Sequence, residues 1–204
     1  MKSYIPFLPT KWISRGCTVC FVGDVYQEDT FCYLCGEPET TSVIRPFLCE
    51  KSVRIHGKDM LLLRTVCSDD YKRLRQVMYP ACDLIVFCYS LRDDSLLGPL
   101  STQLIEEIRE SVRHYIPSMV LFSLNGKSQE TSQEHIEALR KGGEKLAREV
   151  TNSITLVEID ISNSSKDQSR WDQERQRVIE IMYRILVLHG LTSSNKTVSR
   201  CSIC

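Results

Sequence analysis

The 204-residue chain has no apolar run that approaches the length of a membrane-spanning helix. Its opening stretch, MKSYIPFLPTKW, carries Pro6 and Pro9 and lacks the apolar centre of a secretory signal peptide. It has no excess of either charge, since 26 Lys and Arg offset 26 Asp and Glu. That balance removes the electrostatic argument for a nucleic-acid partner, and none is expected. No internal repeat and no second compositional regime divide the chain. One domain is expected over residues 16–190, with an extension over 1–15 and a flexible Ser/Thr-rich tail over 191–204. Cysteine, by contrast, is plentiful, with ten residues. Without a secretory leader these read as reduced thiols of a cytoplasmic protein rather than as a disulfide framework.

The stretch Thr18–Thr30, TVCFVGDVYQEDT, organises the rest. Thr18–Val22 is apolar and β-branched, Gly23-Asp24 is a turn signal, and Thr30 opens a second apolar run. Strand, loop and helix are the setting of a phosphate-binding loop, whose spacing is Gly, four residues, Gly-Lys, then Ser or Thr. Gly23 and Thr30 hold their places, but Glu28 stands where the second Gly belongs and Asp29 where the Lys belongs. At about 4 Å and an effective dielectric of about 20, one unit charge pair is worth roughly 4 kcal/mol. Asp29 turns that attraction to phosphate into a repulsion of similar size. Glu28 adds a second negative charge and a Cβ where the backbone should approach phosphate. The frame persists and the phosphate chemistry does not, so the expected reading is the same fold without that use.

Cys17-x-x-Cys20 and Cys32-x-x-Cys35 are spaced like two zinc knuckles. A zinc-binding module built on these four residues is a separate alternative. Against it, positions i and i+3 of a strand point to opposite faces, and neither pair has the Gly turn of a metal knuckle.

Six strands are expected: Thr18–Val22, Phe47–Ile55, Met60–Leu63, Leu84–Tyr89, Met119–Leu124 and Thr155–Ile161. The second and third read as a hairpin around Gly57-Lys58. Helices are expected at Phe31–Cys35, Arg73–Val77, Pro99–Tyr115, Ser132–Val150 in two pieces broken at Gly142-Gly143, and Trp171–His189. Leu100, Leu104, Ile108 and Val112 mark one apolar face; Val178, Ile181, Met182, Ile185 and Leu188 mark another. Strands alternating with helices give an α/β class with a mostly parallel sheet covered on both faces.

Asp69–Leu91, DDYKRLRQVMYPACDLIVFCYSL, resembles the second switch and following strand of the Rho-family small GTPases, a branch of the Ras superfamily. Asp70, Tyr71, Arg73, Leu74, Arg75, Tyr79, Pro80, Asp83, Ser90 and Leu91 match the family pattern. Val112-Arg113-His114 with Pro117, and Ala147-Arg148-Glu149-Val150, resemble later Rho segments. Ser128–Arg140 lies where Rho proteins carry an extra helix. The resemblance runs over roughly Cys17–Cys204 and implies a small G-protein fold with a six-stranded sheet.

The nucleotide motifs that the resemblance implies are altered one after another. D-T-A-G-Q becomes Arg64-Thr65-Val66-Cys67-Ser68, so Arg64 replaces the magnesium-orienting Asp and Ser68 the water-positioning Gln. Arg45 falls at the first-switch Thr. The guanine-reading motif falls on Leu124-Asn125-Gly126-Lys127, with Lys127 in place of the base-binding Asp. Gly23, Asp29, Thr30, Arg45, Arg64, Asn125 and Lys127 are thus the residues of a degenerate nucleotide site. Glu28 and Asp29 paired with Arg45 and Arg64 would plug it.

The expected protein is a pseudo-GTPase that acts by interaction, needs no cofactor and catalyses nothing. It would meet effectors or regulators of Rho-type GTPases through Tyr71, Arg73, Leu74 and Arg75. The alternative keeps GTP or GDP with magnesium in a remodelled site and hydrolyses slowly or not at all. The final Cys201-Ser202-Ile203-Cys204 fits a C-a-a-X box, which predicts prenylation of Cys201 and attachment to the cytoplasmic face of a plasma membrane or endomembrane. One lipid chain with only Lys196 and Arg200 nearby implies reversible attachment.

Overall fold

The computed structural model describes residues 16–23, 27–36, 48–65, 68–90, 99–112, 116–124, 133–150, 156–160 and 168–190. The strands are β1 (Cys17–Gly23), β2 (Leu48–Ile55), β3 (Lys58–Thr65), β4 (Leu84–Ser90), β5 (Ser118–Leu124) and β6 (Leu156–Asp160). The helices are α1 (Gln27–Cys35), α2 (Lys72–Met78), α3 (Pro99–Ser111), α4 (Gln133–Val150) and α5 (Gln168–Leu188). Short 3-10 turns at Asp69–Tyr71 and Tyr79–Ala81 bracket α2.

The strands form one sheet in the order β2-β3-β1-β4-β5-β6. Every neighbouring pair is parallel except β2 with β3. This is the expected α/β architecture of a small G-protein fold. The continuous apolar runs of β1 and β4 are buried along their whole length, as parallel strands covered on both faces must be. Val19 and Phe21 of β1 join Phe31 and Leu34 of α1 and Val178 and Met182 of α5 in one core. Cys20 and Val22 face the other way, with Leu104 and Ile105 of α3 and Leu139 of α4.

Two contacts fix β1 at its ends. The Thr18 amide donates to Asp83 Oδ2 at 2.9 Å, and the Asp83 amide donates to the Thr18 carbonyl at 2.7 Å, which joins the start of β1 to the start of β4. At the other end Gly23 has φ of +154°, and a Cβ there would run into the Cys88 carbonyl oxygen on β4. Only glycine lets the two strands close at that point.

The β2–β3 hairpin turns through His56 and Gly57, with φ of 48° and 72°, as a two-residue primed turn requires. A non-glycine residue tolerates that conformation at some cost. Here the His56 ring packs 5.0 Å from Tyr183, and its Nε2 lies 2.7 Å from Glu180 Oε2. The hairpin tip is thereby fastened to α5.

Four expectations change. The first helix begins at Gln27 rather than Phe31, because Gln27 and Thr30 are buried against the sheet. α3 ends at Ser111, short of Tyr115. α4 runs unbroken through Gly142-Gly143. Each Gly costs a helix about 1 kcal/mol, but the Arg140 guanidinium holds the helix to Glu158 of β6 at 2.5 and 2.8 Å. Leu188, the last residue of α5, is 83% exposed; Ile179 and Leu186 fill the core instead.

Replacing Gly23 by Ala is expected to cost about 1–3 kcal/mol through overpacking against β4. For a chain of this size that lowers Tm by roughly 3–10 °C, measurable by differential scanning calorimetry without any ligand. Hydrogen bonds from Arg184 and then His56 hold the Glu180 carboxyl below its ordinary value of 4.5. Its contribution to stability is therefore complete above that value and is lost as the pH falls through the lowered one. Glu180→Gln is expected to flatten the fall of Tm on the acid side of 4.5; an unchanged curve would show the carboxylate to be uncoupled from folding.

Candidate functional site

In an open α/β sheet the ligand crevice lies beyond the carboxyl ends of the strands, where the strand order reverses. Here the reversal is at β1. From β1 the chain goes to the edge strand β2, returns inward as β3, and crosses to β4 on the other side. The candidate site is thus the carboxyl end of β1 with the start of α1 and the end of β3.

Gln27, the first residue of α1, is 2% exposed and donates from Nε2 to the carbonyl of Phe21 on β1. A side chain at the start of α1 thus bonds a backbone carbonyl of β1. Thr30, one turn further, is fully buried, and its Oγ1 has no hydrogen-bond partner among the described residues. Thr65 at the end of β3 is in the same condition. Two buried hydroxyls without partners are costly and are the features here that suit a ligand or water.

Arg64 points the other way chemically. It lies on β3 in register with Phe21 of β1 and with Cys49 of β2, and is 4% exposed. Its Nη2 donates to Cys49 Sγ at 3.1 Å. A buried guanidinium therefore stands near the end of β3, at the position that the resemblance assigns to the magnesium-orienting Asp. Among the described residues no group of three or more His, Cys, Asp or Glu side chains is placed to hold a metal ion.

The zinc alternative fails on geometry. Cys17 lies in the core beneath α1 and α5, whereas Cys20 lies in the core beneath α3. The sheet separates them, so they cannot share one ion. Cys20 instead neighbours Cys82: its hydrogen bond, with burial, pushes the Cys82 thiol well above its ordinary value. Cys32 and Cys35 are buried in α1.

The second patch is built by α2. Ser68 opens it, its Oγ accepting from the Asp70 amide and capping the first 3-10 turn. Tyr71 is 36% exposed, Arg73 is exposed and Leu74 is half-buried. Arg75 departs from the expectation of a docking face. It is 1% exposed and turns inward to Glu107 of α3, with Nε to Oε1 at 2.8 Å and Nη2 to Oε2 at 2.9 Å. Its Nη1 donates to the Ser68 carbonyl at 2.8 Å. Arg75 is an internal strut, and the outward face of α2 is Tyr71, Arg73 and the 45% exposed Val77.

Glu107 and Gln27 escaped the sequence reading. Glu107 follows Leu104 by three residues and so falls on the apolar stripe of α3, where an acid signals a buried cation. Gln27 carried no such signal. Arg45, Asn125, Lys127 and Cys201 lie outside the described residues, as do the side chains of Glu28 and Asp29. No described helix is long and apolar enough to cross a membrane.

No protein-family model matches the chain. Among curated proteins it is similar to the Rho-related GTP-binding protein RhoB of Homo sapiens, and equally to RhoB of Mus musculus and of Rattus norvegicus. Each is 22% identical over 154 residues, a span that covers 74% of this chain and 76% of the relative. The likeness, with the sheet order and helix placement above, supports a distant Rho/Ras-like relationship on a small G-protein fold.

Proposed function

We propose that this protein is a pseudo-GTPase: a Rho-like fold that acts by binding other proteins rather than by cycling nucleotide. The observation that carries this reading is how the family-like residues divide. Those that persist build the fold. Gly23 lets β1 close on β4, Asp83 joins the starts of the same two strands, Tyr79 is fully buried, and Arg75 pairs with Glu107 inside the protein. The positions altered in sequence, Glu28, Asp29, Arg64, Ser68 and Lys127, are those that would contact phosphate, magnesium, attacking water and base. Losing one could tune a rate; losing all of them removes the chemistry.

The working face in this reading is α2 with its preceding turn, where Tyr71 and Arg73 are of the residue types that anchor interfaces. Effectors or regulators of Rho-type GTPases are the partner class. Asp29 and Glu28 would pair with Arg64 and Arg45 and close the old phosphate site. Prenylation of Cys201 would hold the protein reversibly on a cytoplasmic membrane face, so that supply, lipidation and partner abundance set its activity.

Thr30 and Thr65 favour a second reading. Their unpartnered buried hydroxyls lie at the end of the strands, where a remodelled site would receive a guanine nucleotide with magnesium.

Two expected outcomes follow from the first reading. GTP with magnesium leaves Tm of the purified protein unchanged, and Asp29→Lys lowers it by breaking the plug. A rise of several degrees with nucleotide would support the second reading, and an Asp29→Lys protein of unaltered Tm would remove the plug. Expressed in a eukaryotic cell, the chain is expected to sediment partly with membranes and to gain the mass of one isoprenoid on Cys201; Cys201→Ser abolishes both. A wild-type protein of unmodified mass would remove the lipid from the account.

A further inference from the structure

The α2 segment is held to α3 more firmly than its length requires. α2 has seven residues, too few to be stable as an isolated helix. Two tethers reach α3. The Arg75–Glu107 pair is bidentate, with side chains 1% and 0% exposed. Gln103 Nε2 donates to Asp69 Oδ1 at 2.7 Å. A third contact folds the segment on itself, because Arg75 Nη1 donates to the Ser68 carbonyl at 2.8 Å. One guanidinium therefore ties the first residue of the segment, the body of α2 and the middle of α3 together. Ser111 Oγ donates to the Glu107 carbonyl at 2.6 Å and fixes the α3 side of the joint.

We propose that Arg75 and Glu107 form a clamp that holds α2 against α3 in one conformation. The physical ground is the asymmetry of a buried ion pair. Made, it is close to neutral against an apolar replacement; opened, it leaves two charges without compensation in a dry setting. Glu107 is 1% exposed, Leu104 one turn before it is buried in the core, and Met78 and Tyr79 are buried at the end of α2, so an opened pair has little water to turn to. A ligand moves such an element only if it binds the open form more tightly by at least the cost of opening. Tyr71, Arg73 and Val77 are consequently presented in a fixed arrangement, without a bound state and a free state to distinguish. This deepens the proposed function, on which the importance of that face rests; the clamp itself stands on geometry.

The test is amide hydrogen exchange of the full-length protein, reading residues 69–79 against β4. In the wild type the α2 amides are expected to exchange as slowly as those of β4, through global unfolding, with no change on adding GTP and magnesium. Glu107→Gln is expected to speed α2 exchange by roughly a hundredfold while β4 keeps its protection. Wild-type α2 that exchanges about a hundredfold faster than β4, or that changes on adding nucleotide, would overturn the clamp. If Glu107→Gln does not fold, the wild-type comparison decides the matter by itself. A protein that nucleotide stabilises thermally while α2 exchange stays unchanged would sink the pseudo-GTPase reading and leave the clamp standing.

Discussion

The fold depends on β1 being enclosed. It is paired in parallel on both edges, with β3 and β4, and covered on both faces, by α1 and α5 on one side and α3 on the other. Enclosure dictates its composition, since a strand with no solvent edge and no solvent face has no place for unpaired polar side chains. It also dictates its ends. Asp83 must turn back to bond the Thr18 backbone, and Gly23 must lack a side chain so that the strand can pass Cys88. The strand order reverses beside it, which leaves the crevice at its carboxyl end whether or not a ligand uses it.

That constraint separates two kinds of family-like residue that a motif match would merge. Gly23 belongs to a phosphate-loop pattern, yet the described structure already requires it for strand closure. Arg75 belongs to a second-switch pattern, yet its charge is consumed by Glu107. Tyr79 and Asp83 are core and strand-end residues. None of these positions needs a nucleotide to explain it. Arg64 is the converse case: a buried cation with its Nη2 on a cysteine sulfur, at a position that the resemblance assigns to an acid. Thr30 and Thr65 alone among the described residues of the crevice have hydroxyls that strand closure and core packing do not satisfy, and they mark where any surviving binding would be found.

Much of the fold could be read from the chain because its strands are buried runs. LIVFCY in β4 and VCFV in β1 have no polar interruption, and their length and β-branched content suit a covered parallel strand. Helix boundaries were harder, since they rest on contacts made elsewhere. Gln27 and Thr30 look like loop residues until α1 buries them, and Gly142-Gly143 look like a break until Arg140 is seen on Glu158 of another element. The candidate site was legible as losses of charge and size at fixed spacings. Its replacement partners were not, because Arg75 with Glu107 and Arg64 with Cys49 are pairs joined across 32 and 15 residues of sequence. Glu107 on an apolar stripe was the one local sign that such a pair existed.

The central claim is that the crevice at the end of β1 no longer carries a guanine nucleotide. The most direct measurement is the nucleotide content of the freshly purified protein, denatured and resolved by ion-exchange chromatography beside a functional small GTPase treated in the same way. The account predicts no GDP or GTP above background from a folded sample. Nucleotide at about one equivalent per chain would contradict it, and would turn Thr30, Thr65 and Arg64 from remnants into the contacts of a remodelled binding site.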